Sequence, residues 1–79
     1  MNNPLNPTQL AYLDMLVNGF EIKEIGRKFG VSKYTAYWYL RNIRKILGAR
    51  ANPQAAAIGV ARGLVSERKN NENMLVLWS

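Results

Sequence analysis

The side chains best placed to do chemistry in this chain are aromatic and cationic, and they sit close together: Tyr34, Tyr37, Trp38, Arg41, Arg44 and Lys45 fall within twelve residues. A guanidinium can donate to two acceptors of a guanine edge. Aromatic rings can pack on thymine methyls or sugars, while peripheral Lys and Arg neutralise phosphates. Arg41 is the best candidate for a base reader, and Lys33 and Lys45 belong with the peripheral cations. Catalytic groups are scarce by comparison. The chain has no Cys and no His, which removes thiol and imidazole nucleophiles, the usual zinc ligand sets and disulfides. Asp14, Glu21, Glu24, Glu67 and Glu72 form no recognisable carboxylate pair, and there is no phosphate-binding glycine loop. Neither an enzyme nor a cofactor is expected, and no metal site or small-molecule ligand is inferred.

The charge supports a polyanionic partner. Eleven Lys and Arg stand against five Asp and Glu, a formal net charge of +6. Eight of those cations (Lys23, Arg27, Lys28, Lys33, Arg41, Arg44, Lys45 and Arg50) lie between positions 23 and 50, opposed only by Glu24. A basic face can also be no more than a solvated one, with Glu24 as ion-pair partner of Arg27 or Lys28. The three consecutive aromatics decide between these alternatives, because Tyr37, Trp38 and Tyr39 cannot all point into one core. Tyr39 is assigned to the core edge, leaving Tyr37 and Trp38 exposed among cations.

Helices must position these groups. Seventy-nine residues allow one small core. Asn6-Pro7 is a cap followed by a proline at the first helical position, and Leu10, Leu13, Met15, Leu16 and Val17 continue the apolar pattern up to Gly19. Ile22, Ile25 and Phe29 define a short second helix from Glu21 to Phe29, closed by Gly30. After the turn Gly30-Val31-Ser32, with Ser32 as cap, a third helix runs from Lys33 to Leu47 with Ala36, Leu40, Ile43 and Leu47 on its inner face. Asn52-Pro53 repeats the cap-plus-proline signal for a fourth helix of small residues, which Gly63 ends. The segment 66–79 reads as a polar linker followed by the apolar run Met74 to Trp78, which can fold back on the domain or meet a partner. No apolar stretch reaches the roughly 18 residues of a membrane span, and a cytoplasmic location is expected.

Two helices joined by a short glycine-containing turn, the second one basic, describe a helix-turn-helix. The run Gly19-Phe20-Glu21-Ile22-Lys23-Glu24-Ile25-Gly26, then Val31-Ser32-Lys33-Tyr34-Thr35-Ala36, Asn42-Ile43, Leu47-Gly48 and Gln54-Ala55, resembles the LuxR-type (GerE-like) helix-turn-helix. The resemblance covers about Leu5 to Val65. Its closing part, Ala55-Ala56-Ala57 through Arg62-Gly63-Leu64-Val65, looks most like the quorum-sensing members.

The resemblance implies an all-α, four-helix domain spanning 1–65 that acts as a DNA-binding transcription regulator of bacteria or phage; family members generally attach it to a sensor domain, and here it is expected to stand alone. By position it implies base contacts at Tyr37, Trp38 and Arg41 and phosphate contacts at Lys23, Ser32, Thr35 and Arg44. It also implies a homodimer formed through helix four, for which Ala55, Ala56, Ile58, Gly59 and Arg62 are the candidate surface, although that face can instead pack on helix one. The alternative function is that of an interaction protein, an anti-activator that pairs with a full-length LuxR-type regulator. Ala11 stands where the family usually carries Glu, and Tyr37 and Tyr39 where it usually carries Lys and His. A target sequence is therefore not transferred.

Overall fold

A computed structural model describes residues 3–67 of the chain, and the apolar run Met74 to Trp78 lies outside the described residues. The described residues form four helices and no strand: α1 (Pro7–Val17), α2 (Ile22–Phe29), α3 (Lys33–Leu47) and α4 (Asn52–Ala61).

Each helix starts and stops for local reasons. The Asn6 side chain accepts from Gln9 N–H at 2.8 Å, and the Gln9 side-chain Oε1 accepts from Asn6 N–H at 2.9 Å, a reciprocal capping box beside Pro7. At α2 the Glu24 carboxylate turns back to accept from Glu21 N–H at 2.8 Å. Its place is therefore at the positive end of the helix dipole, where a carboxylate is favoured. The ion pair with Arg27 or Lys28 suggested by spacing is not the contact it makes. Glu21 itself precedes the helix as its cap. Gly30 and Gly48 end α2 and α3 with φ of 70° and 74°, the left-handed conformation that a Cβ disfavours.

The start of α4 differs from the sequence expectation. Ala51 is the cap and Asn52 is the first helical residue, with Pro53 second. The Asn52 side-chain oxygen accepts instead from Arg44 Nη1, which ties α4 to α3. Gln54 helps in its place by accepting from Arg50 N–H at 2.7 Å.

The core gathers Leu5, Tyr12, Leu13, Val17, Ile25, Ala36, Leu40, Ile43, Leu47 and Ala55. The expected inner face of α3 is fully inside. α1 packs against all three other helices, whereas α2 and α4 lie on opposite flanks and do not touch each other. Tyr12 holds the centre. Its ring stacks on Phe29 of α2 at 4.2 Å between centroids and 8° between planes, and on Tyr39 of α3 at 4.4 Å and 19°. One α1 side chain is thus clamped between the two helices of the helix-turn-helix. Asn18, only 7% exposed, closes the other end by donating to the Asp14 carbonyl at 2.8 Å and the Ser66 carbonyl at 3.2 Å.

Tyr12→Ala removes both stacks and leaves a cavity, and should destabilise the domain by about 3 to 5 kcal/mol, measured by chemical denaturation. Tyr12→Phe keeps both ring contacts and should stay within about 1.5 kcal/mol of the parent. Burial, with a smaller contribution from Tyr39, raises the Tyr12 hydroxyl above its ordinary pKa of 10.0. Above that value the unfolded chain gives up this proton before the native one does. Stability therefore falls as pH rises past about 10, and Tyr12→Phe should lack that part of the decline.

Candidate nucleic-acid interface

The outer face of α3 is built by the same register that fills the core. With Ala36, Leu40, Ile43 and Leu47 turned inward, positions 34, 37, 38, 41 and 45 form one stripe at three- and four-residue spacing on the far side. Tyr34 is 75% exposed, Tyr37 49% and Trp38 55%. Arg41 and Lys45 are exposed beside them. The expected parting of the three consecutive aromatics occurs: Tyr39 turns into the stack on Tyr12, while Trp38 stays outside and meets Tyr39 edge-on at 5.3 Å and 83°.

Cations lie over the exposed rings. Lys33 Nζ sits 5.5 Å from the Tyr34 ring centroid, and the Arg44 guanidinium 5.4 Å from that of Tyr37. Arg44 is half-buried and also bonded to Asn52, so it braces Tyr37 and the α3–α4 junction as well as adding charge. Lys33 and Thr35 on α3 and Lys23 in the first turn of α2 are exposed as well. Ser32 is exposed too, but its hydroxyl is engaged: it accepts from Thr35 N–H at 3.1 Å and donates to the Thr35 hydroxyl at 3.2 Å. Its clearest role is to cap α3 and fix where the stripe begins.

The turn that sets α2 against α3 depends on a glycine that the sequence showed only as part of a motif. A Cβ on Gly26 would lie 2.9 Å from the Val31 carbonyl oxygen and 3.2 Å from that of Ser32. Val31 N–H donates to the Gly26 carbonyl at 2.8 Å, so the backbone of the turn lies directly on α2.

On α4 the structure revises the expected partner surface. Ala55 is 0% exposed, and Gly59 is buried where a Cβ would meet Leu13 Cδ2 at 2.8 Å. Ala55 is thus part of the core and Gly59 lies against Leu13 of α1, the packing on helix one that the sequence left open for this face. Ala56 and Ile58 are half-buried, and Arg62 is exposed. The open face consists of Pro53, Ala56, Ala57, Val60 and Ala61, an apolar groove of ≈ 520 Å³ edged by Glu67. Small residues occupy both sides of α4, so residue size could not distinguish the inner side from the outer.

Among the described residues, no group of acidic side chains could hold a metal ion, and no helix is long and apolar enough to cross a membrane.

The family model described as bacterial regulatory proteins, luxR family (GerE), matches residues 3–58, more than half of the chain. The chain belongs to that family. Its four helices are a LuxR-type helix-turn-helix domain, and such domains bind DNA and regulate transcription. Comparison with curated proteins and with solved structures returned no match. Within the LuxR-type domain, α2 and α3 are the helix-turn-helix pair, and the exposed aromatic and cationic stripe lies on its second helix.

Gly26→Val drives methyl groups into the Val31 and Ser32 carbonyls and should cost about 1 to 3 kcal/mol of stability. Because the turn must open to admit them, DNA affinity should fall even at temperatures where the variant is folded. Thermal melts alongside electrophoretic mobility shifts measure both.

Proposed function

We propose that this LuxR-type domain is a sequence-specific regulator of double-stranded DNA that lays α3 in the major groove and reads bases with Tyr37, Trp38 and Arg41. The observation that carries this reading is the outer stripe of α3, where three large aromatics stand exposed around an unburied arginine on a helix whose opposite face is fully packed. Rings this exposed contribute little to the buried core, and the major groove offers them thymine methyls on the base edges, with the backbone sugars beside them. Lys45 within the stripe, Lys33 and Thr35 at the start of α3 and Lys23 on α2 are exposed and supply phosphate contacts, assisted by Arg44.

A single recognition helix offers few base contacts, so a two-fold dimer on an inverted repeat fits the size of the domain. The α4 groove of Pro53, Ala56, Ala57, Val60 and Ala61 supports this pairing, with Ile58 and Arg62 at its margin. The same groove also supports a second reading, in which the domain pairs with another LuxR-type chain and modulates it. Both activities would take place in the bacterial cytoplasm, where the DNA is.

Selection from a random duplex pool at physiological salt should enrich an inverted repeat. Arg41→Ala should cost about 1 to 3 kcal/mol and relax the preference at one base pair per half-site. Lys23→Ala should weaken binding to all sequences alike and lower the salt slope by about one. Equal losses on every sequence from Arg41→Ala would remove its reading role.

Val60→Glu places a charge in the α4 groove without disturbing the core. It should weaken binding to the inverted repeat at least about tenfold and leave a monomer in sedimentation analysis, since an unpaired charge is poorly tolerated in an apolar contact. Unchanged assembly would put the dimer contact elsewhere.

A further inference from the structure

The start of α2 and the first two turns of α3 border an open cleft of ≈ 350 Å³ lined by Ile22, Lys33, Tyr34 and Tyr37. Its walls are an aliphatic side chain and two tyrosine rings one helical turn apart, with the Lys33 ammonium 5.5 Å from the Tyr34 centroid. Tyr34 packs against no part of the core and is the most exposed large hydrophobic side chain of the described residues. The occupant must therefore present an apolar group to the rings and negative charge to the lysine at its edge. A pyrimidine carrying a 5-methyl group beside its own phosphate does both, and the methyl of thymine is the one apolar group on the base edges of the major groove. The cleft also continues directly into the reading stripe, because Tyr37 belongs to both.

We propose that Tyr34, with Ile22 and Tyr37, forms a slot for a thymine methyl, making Tyr34 a specificity-determining residue outside the Tyr37, Trp38 and Arg41 set. This inference rests on the major-groove reading above. Tyr34 and Arg41 are seven residues apart, about 10 Å along the helix axis at 1.5 Å per residue, so the thymine lies about two to three base steps from the pair that Arg41 reads.

The test uses the full chain and the duplex enriched from the random pool, with each thymine replaced in turn by uracil, which removes only the methyl. Uracil at one position, about two to three steps from the Arg41 pair, should weaken binding about fourfold, the equivalent of one buried methyl at ~0.8 kcal/mol. That thymine–uracil difference should vanish in Tyr34→Ala and persist in Tyr34→Phe, with melting temperature and salt slope unchanged in both. If uracil is silent at every position, or its effect survives in Tyr34→Ala, the slot is overturned while the DNA-reading function stands. If no sequence is enriched at all, the major-groove reading falls and takes the slot with it.

Discussion

The Tyr12 ring, held between Phe29 and Tyr39, is the contact on which the rest of this domain depends. Phe29 is the last residue of α2 and Tyr39 lies in the middle of α3, so the two rings come from the two arms of the helix-turn-helix. Tyr12 comes from outside that motif and fixes the distance between the arms. Stacked aromatic pairs contribute about 0.5 to 1.5 kcal/mol each beyond the area they bury, and a small domain has few other sources of rigidity. The clamp also reaches the surface, since Tyr39 carries Trp38 against its edge. Core order and the placement of one exposed ring are coupled through two adjacent residues.

Two close approaches complete the frame, and both require the absence of a side chain. Gly26 lets the turn carbonyls of Val31 and Ser32 lie on α2, which sets the starting point of α3. Gly59 lets Leu13 of α1 seat against the backbone of α4. With α2 and α4 on opposite flanks, these contacts leave the outer side of α3 and the outer side of α4 exposed among the described residues. The Arg44–Asn52 bond joins the helices that carry those surfaces, so the geometry of one is referred to the other by a charged hydrogen bond as well as by packing.

Much of this was legible in the sequence because local rules agreed with the tertiary ones. The boundaries of α3 follow from Ser32 and Gly48, and its buried face from a regular three- and four-residue apolar spacing. The outward stripe follows by subtraction. What was not legible depended on partners distant in sequence. Tyr12 lies in an apolar stretch where any of several residues could be central, and nothing local marks it as the one clamped between Phe29 and Tyr39. Asn52 has the chemistry of a cap and the proline that usually follows one, but Arg44 eight residues earlier takes its oxygen. Spacing sets Glu24 opposite nearby cations, yet its carboxylate accepts from the Glu21 N–H at the positive end of the helix dipole. On α4, alanine and glycine occur on every side, so the inner face was decided by Leu13 and not by any property of the helix itself.

The separation of the two α3 faces has a consequence for how such a domain can change its target. Positions 36, 40, 43 and 47 hold the fold, and positions 34, 37, 38 and 41 face outward one step round the helix. Outward side chains can be exchanged without opening a cavity, so base preference is free to vary while stability is kept. Trp38 is the exception. Its ring rests on Tyr39, and Tyr39 rests on Tyr12, so a change at that position alters both the reading face and the support beneath it. The proposed thymine slot at Tyr34 and the proposed base reader Arg41 lie on either side of this fixed point. The two outer readers can then diverge independently, whereas the central ring is constrained by the clamp that holds α2, α1 and α3 together.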